Sequence, residues 1–333
     1  MSYLRNSILA TIVYYDIFNY PLTLVEIYKY MINPARIVKI EGGISEVSIN
    51  SIVEELDKLE ISGIIGTKNG FYFLNGRDDI YNLRMQRHKI ADQKWKKFLK
   101  FVKYLALAPY LRGVFASGSM AINNTGEESD FDILVVAKSG HLYTCRFFLL
   151  VISSLAGARR KKHQKIAPDK LCFNHYIADD SLYIPHESIF NAQTYASLKP
   201  AMIAPGLIDN FYHANLWLNN YVYNFRPEKE FIRRSVTVPF IFKFIAESVE
   251  SVLSLLKLDR RIETILRHFQ QERIKKDPVT YSSGGRVIFT DQELEFHPYS
   301  FERIVINEYN RGVMRLGIVP YIKETDSGLL GVS

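Results

Sequence analysis

The stretch VFASGSMAINNTGEESDFDILVV, Val114 to Val136, constrains this chain more than any other. Its two apolar runs read as strands, and Gly118-Ser119 closes the first of them. Glycine lets the backbone turn there and pass close to a ligand. A short helix should follow, and its unpaired N–H groups and positive dipole end suit a phosphate. The second run carries Asp130 and Asp132 at i and i+2, which puts both carboxylates on one face of a strand. Adjacent carboxylates repel, and a cation relieves that repulsion. Oxygen donors of this kind suit Mg2+, which takes one or two carboxylates plus substrate phosphates. A phosphate cradle beside a Mg2+ ledge makes a site for a nucleoside triphosphate. The alternative is a plain surface turn with a solvated acid pair. It is disfavoured because an apolar strand rarely carries two unpaired aspartates.

These residues resemble the DNA polymerase β-like nucleotidyltransferase superfamily. Its signature is a Gly-Ser pair after a strand, a short gap, and Asp-x-Asp inside a hydrophobic strand. Here Gly118-Ser119 precedes a ten-residue gap, Asp130-Phe131-Asp132 and the run Ile133-Leu134-Val135-Val136. The resemblance spans Leu105 to Ile184 at most. It implies Mg2+ (or Mn2+) held by Asp130 and Asp132. It also implies an NTP whose β- and γ-phosphates rest on Ser119 and the backbone after Gly118, with Asn123 and Asn124 as weaker sugar or phosphate contacts. The reaction implied is transfer of an NMP group to an acceptor hydroxyl on a small molecule, protein or nucleic acid.

The resemblance further implies a third carboxylate on a neighbouring strand, the natural general base. The expected strand, Lys170 to Ile177, contains no acid. Asn174 stands at the corresponding place; it can hydrogen-bond or weakly ligate a metal but cannot take a proton as a carboxylate does. Asp169 lies at the start of that strand and Asp179-Asp180 just past its end, while His175 should face away from Asn174. A catalytically degenerate nucleotide-binding domain therefore stays open as an alternative.

Ahead of this segment, Ser2 to Tyr15 has a helical pattern. Thr23 with Glu26 forms a capping box for a second helix through Met31, and Ser48 opens a third. Two short strands, Ile64-Ile65 and Phe71 to Leu74, flank Asn69-Gly70, a strong hairpin turn. Three helices and a hairpin outline a winged helix over residues 1–76. Its third helix offers Asn50, Ser51, Glu54, Glu55, Asp57, Lys58 and Glu60, too acidic for a DNA-reading surface. A scaffold or protein-contact role is preferred, and a DNA-binding regulator with a nucleotidyltransferase-like ligand module is a further alternative.

Residues 77–107 read as a basic linker helix, whose lysines are most simply a solvated face. The densest basic run, Gly157 to Lys165, falls between helix and strand within reach of the proposed metal site, as a mobile loop or a polyphosphate contact. The nucleotidyltransferase domain is placed at 108–200, and 201–333 as a mainly helical region. Within it, Glu228 to Leu258 and Arg260 to Lys275 are long helices, Ser282 to Gly285 is a flexible joint, and Ser327 to Ser333 is a disordered tail. The fold class expected is thus α+β in three parts, each with its own core.

A net charge of +7 and a pI near 9.1 favour polyanionic partners. Cys145 and Cys172, both in apolar runs, indicate neither a disulfide framework nor a zinc site. No segment combines the length and apolarity of a membrane span, and the N-terminus lacks a signal-peptide pattern, so the expected location is cytoplasmic.

Overall fold

The structure is a computed structural model that describes residues 2–40, 46–161, 164, 166–226, 234–282 and 284–328. Its N-terminal layer contains α1 (Ser2–Asp16), β1 (Leu22–Thr23), α2 (Leu24–Tyr30), α3 (Pro34–Ile37), α4 (Ile49–Ile61), β2 (Ile65–Lys68) and β3 (Phe71–Leu74). The capping box is present: Thr23 Oγ1 accepts from the Glu26 amide, and Glu26 Oε2 accepts from the Thr23 amide at 2.9 Å. Asn69 and Gly70 both take positive φ, 52° and 79°, and join Lys68 to its partner Phe71. That is the two-residue turn whose twist matches a hairpin. The small sheet runs β1-β3-β2.

The rest of the chain continues through α5 (Asp79–Leu105), β4 (Leu111–Ala116), α6 (Gly118–Ala121), β5 (Phe131–Ala137), α7 (Leu142–Leu155), β6 (Leu171–Ala178), α8 (Ile189–Ala196), β7 (Lys199–Ile203) and α9 (Leu207–Ala214). After a 3-10 turn at Leu216–Asn220 come α10 (Phe240–Leu255), α11 (Asp259–Lys275), β8 (Arg286–Phe289), β9 (Glu293–His297) and α12 (Glu302–Arg315). The large sheet is mixed, in the order β7-β4-β5-β6-β9-β8. Only β5 and β6 pair in parallel, joined by the α7 crossover; the other neighbours are antiparallel. The fold is mixed α+β.

Alternation along the strands gives the sheet two buried faces. Val114, Ile133, Val135 and Tyr176 pack with Trp95, Phe98 and Val102 of α5 and with Leu142, Cys145 and Leu149 of α7. Phe115, Leu134, Val136 and Ile177 join a second core that runs without interruption into α1, α2, α4, α8 and α12. Gly312 of α12 lies so close to α1 that an added Cβ would fall 2.5 Å from Val13 Cγ1. Arg36 grips Glu324 with two hydrogen bonds. The N-terminal layer therefore has no core of its own; it shares one with the sheet and the C-terminal helix.

Other expectations change as well. The boundary at residue 200 falls inside β7, and residues 201–333 are not only helical, since β8 and β9 extend the sheet beyond β6. Gly285 is no joint: a Cβ there would lie 2.0 Å from the Pro298 carbonyl oxygen, so close backbone packing requires glycine. Ser327 is held by Glu302 and Arg286, while Leu329 to Ser333 lie outside the described residues. The long helix expected from Glu228 starts at Phe240; residues 227–233 are outside the described set. Glu55 of α4 is buried beside Lys58, whereas Glu54, Asp57 and Glu60 remain on the surface.

The basic helix is only partly a solvated face. Arg84 is buried between the Tyr20 ring and Glu26, and Arg87 donates to Phe18 O and Asn124. Lys94 is buried against Asp169 and Ser129 O, each at 2.8 Å. These side chains tie α5 to its neighbours on both sides.

Candidate functional site

β4 ends at Ala116, and the Ser117 amide still donates to Asp132 O at 2.9 Å, so the two strands stay paired up to the turn. Gly118 then adopts φ +57°, a conformation L side chains resist. A Cβ at this position would also lie 2.8 Å from Asp132 Oδ2. Conformation and space both require glycine, and the backbone of the turn sits directly against a carboxylate oxygen. The turn closes through the Asn124 amide, which donates to Ser119 O at 2.8 Å. Ser119 Oγ makes no hydrogen bond among the described residues.

On the far side, Asp130 precedes β5 and Asp132 is its second residue. Their carboxylate oxygens and Cys172 Sγ of β6 all lie within 4.8 Å of one another. The β5–β6 register slips between Asp132 and Leu134, where Ile133 of β5 faces both Phe173 and Asn174 of β6, and this irregularity turns Asn174 toward the site. Its Nδ2 donates to Asp132 Oδ1 at 2.9 Å, leaving Oδ2 toward Gly118. Arg160 reaches in from the basic loop: Nη1 donates to Asp130 Oδ2 at 2.5 Å and lies 3.6 Å from Cys172 Sγ. Lys162, His163 and Lys165 of that loop lie outside the described residues.

The electrostatics follow from crowding. Burial, and then the neighbouring Asp130 charge, push the Asp132 carboxyl up to about 6; His297, Arg160 and the Asn174 hydrogen bond pull it back only in part. Burial and the two aspartates hold the Cys172 thiol far above its usual range, so it is a neutral S–H at physiological pH. The donor set fits a divalent cation. Two carboxylates share one small space, and Asp132 Oδ2 is turned away from its amide partner. A protonated thiol adds little for a hard ion.

The site thus brings together Gly118, Ser119, Asp130, Asp132 and Asn174. Asn123 and Asn124 do not join it. Asn123 Oδ1 accepts from Trp95 Nε1 at 3.0 Å and from Arg234, while Asn124 bonds Phe18 O and Arg87. Both amides are committed to fastening the loop to α5 and to the N-terminal layer. Nor does a nearby acid supply the missing carboxylate. Asp169 is clamped by Lys94 and Lys97, and Asp179 and Asp180 bind Ser139.

Three residues of the site escaped sequence reading in this role. Arg160 sat inside a flagged basic run. Cys172 lies two positions before Asn174, a spacing that signals a shared strand face. His297 carried no signal, because the strand that holds it read as part of a helical region. No family model matches this chain, and no curated protein or solved structure does either.

Proposed function

We propose that this chain is a Mg2+-dependent nucleotidyltransferase that moves an NMP group from an NTP to an acceptor hydroxyl. The observation that carries the reading is the contact between the Gly118 turn and Asp132 Oδ2, with Asp130 beside it. Such closeness gives a phosphate on the turn and a cation on the acids a common boundary. Asp130 and Asp132 would hold Mg2+, or Mn2+, which supplies charge neutralisation to the phosphates when bound. Ser119 Oγ and the backbone of the turn position the β- and γ-phosphates. Asn174 fixes the rotamer of Asp132 through Oδ1 and keeps Oδ2 available. Arg160 must leave Asp130 for a cation to enter, and it is then free to meet the triphosphate.

The Arg160–Asp130 ion pair favours a second reading, in which the domain binds nucleotide without turnover. There the guanidinium substitutes for the cation, in keeping with a strand that offers Cys172 and Asn174 where an acid would act as base. The N-terminal layer is read as a winged-helix scaffold; the exposed acids Glu54, Asp57 and Glu60 on α4 support a protein contact over DNA.

The test is label transfer from each α-labelled NTP with Mg2+ or Mn2+, offering pooled metabolites, tRNA and the protein itself as acceptors. Transfer that disappears in Asp130→Ala/Asp132→Ala supports the transferase. Saturable, cation-dependent NTP binding with no transfer supports the second reading. Binding that survives Asp132→Asn overturns both.

A further inference from the structure

On the other side of β6, a second polar cluster is buried where the C-terminal hairpin meets the sheet. His175 of β6 pairs in register with Glu295 of β9. Its Nε2 lies 3.0 Å from Glu293 Oε1, and the donor atoms of His175, Glu293 and Glu295 all lie within 4.8 Å of one another. His186, from the loop between β6 and α8, brings Nε2 to 3.5 Å from Glu293 Oε1 and 3.8 Å from Glu295 Oε2. That Nε2 is buried and makes no hydrogen bond.

The geometry points to a divalent transition-metal site, Zn2+ by its chemistry, built from His175, His186, Glu293 and Glu295. His175 and the two carboxylates cluster within 4.8 Å, and His186 comes within 3.8 Å of both carboxylates, which gathers two imidazole and two carboxylate donors, the donor number that structural zinc takes. Imidazole donors select zinc over the hard cations that all-oxygen sites hold. The surrounding contacts are those that orient metal ligands. The Tyr195 hydroxyl lies 3.3 Å from His175 Nδ1; with the ring proton placed there, the Nε2 lone pair faces the carboxylates. Arg286 holds both oxygens of Glu295 at 2.5 and 2.7 Å, and His297 Nδ1 meets Glu295 Oε1 at 2.8 Å.

Charge balance agrees. Arg286 pairs with Glu295 and with the adjacent buried Glu302, while Glu293 meets only the two imidazoles among the described residues. A divalent ion neutralises the remainder without requiring two protonated histidines side by side. Such an ion fastens the His186 loop and the β8–β9 hairpin to the central sheet.

The experiment is elemental analysis of protein purified without metal-affinity resin, followed by chelator stripping and titration with Zn2+ and with Co2+. About one Zn2+ per chain is expected, with a Co2+ spectrum of tetrahedral intensity that Zn2+ abolishes. His186→Ala and Glu293→Gln, each checked for a native circular dichroism spectrum, should weaken Zn2+ binding tenfold or more, while Tyr195→Phe should weaken it by about tenfold. Asp130→Asn/Asp132→Asn should leave it unchanged, which separates this site from the nucleotide site. Three results overturn the proposal: stripped wild-type protein that binds neither ion stoichiometrically, His186→Ala and Glu293→Gln proteins that keep full affinity, or metal lost with Asp132 rather than with Glu293. If both cluster variants misfold, the Co2+ spectrum of the wild-type protein decides alone.

Discussion

The two acidic clusters flank a single strand, β6, and their buried carboxyls shift in opposite directions. At the Gly118 turn, Asp132 stands against Asp130 with one amide donor and a partial share of Arg160, and its carboxyl rises to about 6. In the hairpin cluster, burial acts the same way on Glu293, yet the His175 hydrogen bond and the nearby His186 imidazole outweigh it and bring that carboxyl down to about 2. Glu295, more deeply buried, is likewise held well below the usual carboxylate range by His297, His175 and Arg286. Burial alone does not set the state of a carboxylate; the number of donors that accompany it does. The first cluster is left short of positive charge where a ligand can supply it. The second already gathers imidazole and guanidinium groups around its carboxylates, and the ion proposed there serves the fold.

That contrast predicts its own failures. The largest effect belongs to the hairpin cluster: Arg286→Ala strands Glu295 and should cost roughly 3–5 kcal/mol in urea unfolding. The double change Arg286→Met/Glu295→Leu should recover much of that loss, and a double mutant as unstable as the single would refute the pairing account.

Next in size is an opposed pH response. Glu293 is depressed in the folded state, so its stabilisation is complete above the ordinary carboxylate range, near pH 4.3, and vanishes as the pH falls toward 2, a change of roughly 2–3 kcal/mol. Asp132 is raised, so folding favours its protonated form. Its contribution is best below about pH 4 and is lost as the pH climbs through about 6. Gln and Asn mimic the protonated carboxyls, so in metal-stripped protein above pH 6 Glu293→Gln should melt below the wild type and Asp132→Asn above it, both differences shrinking as the pH falls toward 3. Shifts of the same sign above pH 6 would break the comparison.

Gly118→Ala should cost about 1–2 kcal/mol for a side chain at positive φ and should also weaken NTP binding, because its methyl presses on Asp132 Oδ2. A wild-type melting temperature together with unchanged nucleotide affinity would remove the turn from the site. The smallest effect is expected from Arg160→Ala. Freeing Asp130 from a partly exposed ion pair should tighten Mn2+ binding by about fivefold, roughly 1 kcal/mol, in a calorimetric titration. Weaker Mn2+ binding would mean that the guanidinium supports the site rather than competing for it.

How much of this was legible in the sequence depends on the range of the interaction. The Thr23–Glu26 capping box and the Asn69-Gly70 hairpin are written within a few residues, and they formed as read. The strand–turn–strand around Gly118 was legible for the same reason. The C-terminal hairpin was not: Arg286 and Glu295 make short strands look polar, and their burial makes sense only once they pair with each other. Lys94 misled in the same way, because its partner Asp169 comes from 75 residues further on. Asn123 and Asn124 read as ligand contacts in the sequence because a polar loop residue carries no mark of the protein group it will meet.

The close seat of Gly312 against Val13 has a consequence for how the chain must be made. Helix α1 cannot complete its packing until α12 has been synthesised, and β6 waits for β9. Folding of this protein therefore cannot proceed domain by domain from the N-terminus. A product truncated before residue 286 would carry an uncovered α1 and an open β6 edge, ready to pair with another chain.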